Sequence, residues 1–577
     1  MTTPALVPKV SGVDVLQPPS SERSNSVRTL RPLALPLAFT LALLAFPALP
    51  SIRANPTLLW SLLGTCTLLF AWNAALSVNA LRHRRTLSMT IALHKQHYLQ
   101  ACAQGAVLLY WGWYWRQVYD SAELIAAQLL FAYAFDMLLT WSRRDTFTLG
   151  FGPFPIIFSI NLFLWFKPDW FYLQFLMVAV GFAAKEFIRW NKEGRPAHVF
   201  NPSSFPLGLF SLVLLMTGAT QMTWGQEIAT TLFAPPNIYL MIFLVGLPGQ
   251  FFFGVTTMTM SAVVTTYLIG LAYYAATGSY FFFDAYIPIA DFLGMHLLFT
   301  DPSTSPRTEW GRIIFGILYG LAVVLFATLL GFIGAPTFYD KLLPVPILNL
   351  SIKGIDRIAR SNVLKRLDPG SLGRSLTPRR RNLAYMSIWA SVFIVLSAVE
   401  GVGDTHEGHR IPFWQEACRE GRVNGCRNLL ILESTFCNEG SGWACNELGI
   451  HLIERSEGGT GAQPSFVRSC DLGFLAGCDN FRISNGLPAR LRRLPPRLDD
   501  YRILAREGKA PLIEHTPLDV YERVCAQGWA SGCNDVAELY SRGEWTSRDP
   551  ARASDYQRKA CALGFAEACT ESSEGAR

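Results

Sequence analysis

Residues His198–Pro206 read HVFNPSSFP and lie between two long apolar runs. A proline preceded by Asn or Asp is a helix N-cap signal, so a new helix is expected to start here. Residues Phe299–Arg312, FTDPSTSPRTEWGR, repeat the device about a hundred residues later. Asp301-Pro302 matches Asn201-Pro202, hydroxyl residues follow, and a second proline precedes a fresh apolar run. A helix N-terminus attracts anions, and paired breaks in the two halves of a transporter mark its binding site. The plainer alternative is two capped helices that begin at a membrane surface.

The surroundings decide that these breaks lie in a membrane protein. Of 577 residues, 50% are hydrophobic and only 16% charged, a balance that soluble domains of this size rarely show. Three regions follow: a polar tail at 1–32, expected to be disordered and cytoplasmic; a membrane domain at 33–402; and a C-terminal region at 403–577 of ordinary soluble composition. No cleavable signal peptide is expected, because the first apolar run follows some thirty polar residues. At about 20 apolar residues per crossing, about thirteen spans are expected, near 33–50, 57–80, 98–118, 122–142, 152–167, 170–189, 203–223, 236–255, 259–278, 284–300, 312–332, 338–352 and 383–402. Basic residues cluster between them: Arg82, Arg84 and Arg85; Arg143 and Arg144; Lys185, Arg189, Lys192 and Arg195; and the loop 353–382 with Arg379, Arg380 and Arg381. By the positive-inside rule these are cytoplasmic, which puts the N-terminus inside and the C-terminal region outside a bacterial inner (plasma) membrane. So placed, the basic residues argue against a nucleic-acid partner.

Ten of the twelve cysteines test that orientation. They form five pairs of one pattern, C-x-x-G-x-x-x-[G/A]-C: Cys418 and Cys426, Cys437 and Cys445, Cys470 and Cys478, Cys525 and Cys533, Cys561 and Cys569. On one continuous helix, cysteines eight apart would be separated by about 12 Å of rise, too far for a disulfide, which needs Cα atoms within about 7 Å. A glycine three residues after the first cysteine can take the left-handed conformation that ends a helix. The second cysteine then starts an antiparallel helix, and five such units make an α-hairpin solenoid stapled by disulfides. The pattern resembles cysteine-rich Sel1-like repeats over roughly 415–570. Metal binding is the weaker alternative, because no C-x-x-C pair or clustered histidines accompany the cysteines. Disulfides require an oxidising compartment, in agreement with an extracytoplasmic placement, and a solenoid surface suits a protein partner.

In the membrane domain, AAKEFIRWNKEGRPAHVFNPSSF and LLFTDPSTSPRTEWGRIIFGILYGL resemble, in order, two segments of the RnfD and NqrB membrane subunits of ion-pumping electron-transport complexes. The run from HYLQACAQGAVLLYWGWYWRQVY to FAAKEFIRW resembles the related UnbU-type membrane proteins, so the likeness covers about 90–350. It implies a bundle of membrane helices in two inverted halves, bound FMN or another flavin, and neighbouring electron-carrier subunits. Thr217-Gly218-Ala219-Thr220 contains a Gly-Ala-Thr, but only about twenty residues after the Asn-Pro. In the family the attachment threonine comes much later, so Thr220 is not expected to carry flavin, and noncovalent flavin or quinone is the expectation.

The resemblance places Asn201, Pro202, Ser203, Thr300, Asp301, Thr304 and Arg312 around such a cofactor. Asp136, Asp291 and His296 are candidates for an ion path, since ionisable groups inside spans are functional by default. Tyr110, Trp111, Trp113 and Trp115 read as an interfacial aromatic belt, with a cofactor platform as the alternative. There is no G-x-S-x-G, H-E-x-x-H or P-loop, so no catalytic residue and no metal site is assigned. The sequence therefore points to a membrane electron-transfer component with a protein-binding repeat domain. The alternatives are a small-solute transporter without a redox cofactor and a membrane-anchored assembly scaffold.

Overall fold

The computed structural model describes residues 31–577 except 193, 234, 284, 362–363, 365–368, 370–375, 400, 403–405, 410, 439, 456–460, 486–489, 495–517, 519–521, 523–524, 527–529, 544–545, 566–567 and 570–577. Nearly all of the N-terminal tail, much of the basic loop 353–382 and most of residues 486–529 lie outside the described residues.

The chain is mostly helical. Residues 34–187 contribute α1 (Ala34–Leu44), α2 (Pro56–Arg82), α3 (Lys95–Tyr114), α4 (Ala122–Arg143), α5 (Pro153–Phe163) and α6 (Phe171–Phe187). Residues 204–398 contribute α7 (Ser204–Thr217), α8 (Ile238–Phe253), α9 (Thr256–Thr277), α10 (Ile289–Leu297), α11 (Glu309–Phe332), α12 (Pro344–Ala359) and α13 (Pro378–Ala398). The expected thirteen full spans are not confirmed: α2, α4, α9, α11 and α13 are long and apolar enough to cross a membrane, and α5, α7 and α8 are shorter apolar helices. Apolar composition marks burial without fixing helix length. The apolar run at 284–300 contains only the nine residues of α10, and the run at 338–352 is a 3-10 turn, Thr337–Lys341, followed by α12. In α12 the buried Val345, Leu348, Ile352, Ile355 and Ala359 recur every three or four residues while Ile347, Leu350 and Ile358 stay exposed, the pattern of an amphipathic helix.

The close pairing of α9 with α11 has a simple cause. A Cβ on Gly316 would meet the Met258 carbonyl at 2.2 Å, and one on Gly320 the Ala262 carbonyl at 2.9 Å. Two small residues four apart thus let the backbones approach, as is usual where lipid supplies no hydrophobic drive. Two short sheets lie at the basic end. β1 (Ser88–Ile91) runs parallel to β2 (Thr146–Leu149), and Arg85 there bridges Asp145 at 2.7 Å. β3 (Arg189–Lys192) and β4 (Arg195–His198) form an antiparallel hairpin that delivers His198 and Asn201 to the bundle.

The C-terminal region contributes α14 (Ile411–Arg419), α15 (Gly425–Asn438), α16 (Gly442–Arg455), α17 (Ala462–Asp471), α18 (Leu475–Ser484), α19 (Ala530–Arg542) and α20 (Pro550–Ala562). All five expected disulfides are present, with Cα atoms 4.2–4.9 Å apart. Gly421, Gly440, Gly473 and Gly564 have φ of 68°, 103°, 75° and 97°; the fifth such glycine, Gly528, lies outside the described residues. After each of these four turns the chain folds back identically: the N–H four residues past the cysteine donates to the carbonyl one before it, as from Arg422 to Ala417 at 2.8 Å and from Phe474 to Ser469 at 3.0 Å. Only glycine adopts this conformation cheaply.

The repeat region packs on the end of α9 opposite the basic sheets. Arg422 donates to the Gly278 carbonyl at 3.1 Å and Asn424 to the Tyr273 hydroxyl at 3.1 Å, and Trp414 is buried beside Tyr280. At its other end α9 approaches Arg312 and Asn382 through Gly254.

Candidate functional site

The two matched breaks meet. The Asn201 side-chain amide donates to the Leu298 carbonyl at 2.9 Å, just after α10 ends. His198 Nε2 lies 3.3 Å from Asp301 Oδ2. Asn349 of α12 closes the junction: its Oδ1 accepts from the Asn201 N–H at 3.0 Å, and its Nδ2 donates to the Thr304 carbonyl at 3.3 Å. The Pro202 carbonyl presses on α6, where a Cβ on Gly181 would come within 2.5 Å of it.

Within this clasp the polar groups satisfy one another. Asn201 Oδ1 accepts from the Ser203 N–H at 3.0 Å, the Ser203 hydroxyl at 2.8 Å and the Ser204 N–H at 3.2 Å. Asp301 accepts from the Ser303 N–H at 3.0 Å and the Thr304 hydroxyl at 3.1 Å, and the Thr300 hydroxyl donates to the His296 carbonyl at 2.9 Å. Asp301-Pro302 starts only a three-residue 3-10 turn, Pro302–Thr304, and α11 begins later under Thr308, whose hydroxyl accepts from the Gly311 N–H at 3.0 Å. Arg312 stands apart: it pairs with Glu309 at 2.8 Å, and Glu309 accepts from Thr257 at 3.0 Å, tying α11 to the start of α9.

This geometry does not fit a flavin phosphate. The donors that would hold the anion already point at Asn201 Oδ1 and the Asp301 carboxylate, and a second anion beside Asp301 would be repelled. No protein-family model and no curated protein matches this chain.

The three expected ion-path residues have separate partners. Asp136, 14% exposed at its side chain, faces Lys185 at 3.7 Å, next to the Arg144–Glu186 pair at 2.6 Å. His296 Nδ1 bonds the Phe292 carbonyl at 2.7 Å. Asp291, with no exposed surface, lies 3.3 Å from Lys341 Nζ, which also lies 3.0 Å from Asp340 Oδ1. Asp340 and Lys341 are each 3% exposed, and Tyr319 of α11 covers them by donating to the Lys341 carbonyl at 3.1 Å. Two carboxylates thus face one ammonium where two helices are interrupted: Asp291 sits in the first turn of α10, and Asp340-Lys341 ends the 3-10 turn before α12. With both carboxylates ionised the three groups carry a formal charge of −1, and a buried charge is costly unless balanced.

Asp340 and Lys341 were missed by sequence reasoning. Their signal was two charges inside the weakest of the apolar runs. Also missed is a buried amide network. Gln128 and Asn161 bond each other at 3.1 and 2.9 Å, and Gln174 donates to Gln128 at 3.0 Å and accepts from the Phe166 N–H at 3.0 Å. Gln104 donates to Ser159 at 2.6 Å. Interhelical amides of this kind hold membrane helices together. The belt expectation fails for Trp111, which is fully buried against Trp115 and Trp165 and donates to Thr231 at 3.3 Å.

Proposed function

We propose that this protein moves protons or a small monovalent cation across a membrane through the Asp291–Lys341–Asp340 cluster. The observation that supports this is the burial of two carboxylates against one ammonium at the breaks of α10 and the 3-10 turn before α12. Intramembrane charges are expensive and mark ion pathways, and interrupted helices are where transport proteins bind their ions. A proton or small cation would balance the cluster; its release would leave the charge uncompensated and favour a rearranged state.

The orientation belongs to the same proposal: basic clusters in the cytoplasm of a bacterial cell, the repeat domain periplasmic or extracellular, and a protein partner bound by the repeats. Electron transfer through flavin or quinone, with electron-carrier subunits alongside, is a separate proposal that rests on the motif resemblance, at a place other than the clasp.

The test is potential-driven uptake into proteoliposomes with a pH-sensitive dye inside and, in parallel, a sodium indicator. Uptake by the intact chain that is lost in Asp291→Asn supports the proposal; equal uptake by the two proteins overturns it. The absorbance spectrum and extractable quinone of the detergent-purified protein decide the redox proposal independently.

A further inference from the structure

Five residues of this chain lie on the repeat domain as a ligand would. Residues 490–494, RLRRL, belong to no helix or strand and rest against α16, α17 and α18. Two asparagines hold their backbone at Arg492. Asn480 Oδ1 accepts from the Arg492 N–H at 2.6 Å, and the Arg492 carbonyl accepts from Asn480 Nδ2 at 2.8 Å and from Asn446 Nδ2 at 3.1 Å. Asn480 Nδ2 also donates to Asn446 Oδ1 at 2.8 Å, which fixes the two amides against each other. Neither asparagine has exposed surface. A residue whose N–H and carbonyl face one partner is extended, since along a helix those groups point opposite ways.

The side chains beside the clamp set its chemistry. Leu491 packs on the small apolar cluster of Ile450, Ala462 and Phe466. Arg492 pairs with Asp479 at 2.6 Å, and Arg493 reaches Glu447 at 3.4 Å and Glu454 at 3.1 Å. The Arg492 and Arg493 side chains are 63% and 50% exposed, so their ion pairs add little affinity and serve selection. Main-chain bonds for affinity and side-chain sites for specificity are the division by which proteins recognise extended peptides. The clamp bonds only the N–H and carbonyl that every non-proline residue carries, so it holds an extended chain without requiring this one. Its buried amides would lose their partners if the groove stood empty, which favours exchange of one chain for another over simple release.

We infer that the groove along α16 and α18 is a binding site for an extended, arginine-bearing segment of a separate protein, and that residues 490–494 fill it as an internal competitor. The inference rests on the reading of the repeats as a partner-binding surface and is independent of ion movement. A partner bound on another face would leave that reading standing while both measurements below failed.

The probe is a fluorescein-labelled peptide with the sequence of residues 487–496, LPARLRRLPP, titrated with the detergent-purified full chain and read by anisotropy. A tethered competitor acts at an effective concentration of about millimolar, so the parent is expected to bind the probe weakly. Arg492→Glu combined with Arg493→Glu changes two exposed side chains, leaves the groove intact and sets like charges against Asp479, Glu447 and Glu454. With the competitor weakened, the affinity for the probe is expected to rise about tenfold or more. Equal affinity of the two proteins, or binding by neither, overturns the inference. Hydrogen exchange of the parent is the second measurement: saturating probe is expected to speed exchange at residues 490–494 while α16 and α18 stay protected. Unchanged protection of 490–494 would mark a fixed part of the fold and overturn the inference.

Discussion

Lys341→Met and Asp291→Asn remove opposite charges from one contact, and the structure predicts effects of different sign. Methionine retains most of the lysine stem, which packs beside Phe338 with Nζ 4.8 Å from the ring centroid, so the packing change is small. What is lost is the ammonium that pairs with both Asp291 and Asp340. Removing one partner of a buried pair costs about 3–5 kcal/mol, because the remaining charge stays desolvated and unpaired. Here two carboxylates are left, so Lys341→Met is expected at the upper end of that range. Asp291→Asn instead leaves Lys341 paired with Asp340 and removes the excess charge, and is expected to fall within about 1 kcal/mol of the parent or above it. The assay is equilibrium unfolding of the full chain in mixed micelles by titration with a denaturing detergent, read by tryptophan fluorescence. Equal losses in the two variants, or a Lys341→Met loss under about 1 kcal/mol, would refute the charge-balance reasoning.

Three further expectations follow from other parts of the molecule. In the repeat domain, burial pushes the Glu447 carboxyl up to about 7 against the pull of Arg493, and burial likewise holds Glu433 high despite its 2.8 Å contact with His451. Burial works to lower His451, but the hydrogen bond and charge of Glu433, with the charge of Glu447, outweigh it and raise the imidazole above 6.5. All three groups bind protons more tightly when folded, so their contribution is present at low pH and lost as pH rises: for Glu447 between 4.5 and about 7, worth roughly 3 kcal/mol. Hydrogen exchange of 425–484 in the full chain should therefore quicken from about pH 5 to about pH 8 after correction for intrinsic rates, and constant protection would contradict it. Replacing Cys470 and Cys478 by alanine removes a bridge eight residues long, expected to cost about 2–3 kcal/mol by loop-closure entropy; limited proteolysis of 462–484 in the full chain reads it. Asn201→Ala leaves buried N–H groups of Ser203 and Ser204 without their acceptor, an expected loss of at least about 2 kcal/mol in the same unfolding assay. Ser203→Ala should cost less, since the backbone bonds remain.

How much of this was legible depended on how local the cause is. The cysteine pairs and their glycines lie within nine residues, and the left-handed turn that lets the chain double back is a property of glycine itself, so spacing alone gave the five disulfides. The membrane elements were legible as apolar and not as lengths. Nothing in the run 284–300 says that only Ile289–Leu297 is helical, because the partners of α10 come from distant sequence: Lys341 fifty residues on, and Asn201 almost a hundred residues before.

The pairing of Asn201-Pro202 with Asp301-Pro302 shows the same limit more finely. The sequence identifies two breaks with free donors, and an anionic ligand and the chain's own oxygens satisfy those donors equally well on paper. The structure brings the breaks together, and Asn201 Oδ1 and the Asp301 carboxylate fill both sets of donors. Interrupting a helix exposes backbone groups that lipid cannot satisfy, so the Asn and Asp answer a need that the prolines create. The charges at Asp291, Asp340 and Lys341 go beyond such a need. Two carboxylates face one ammonium in the interior, buried charges cost free energy, and packing alone would be served better by apolar side chains. That contrast separates the polar residues the fold requires from those it merely tolerates, and it is the reason the functional proposal rests on the cluster and not on the clasp.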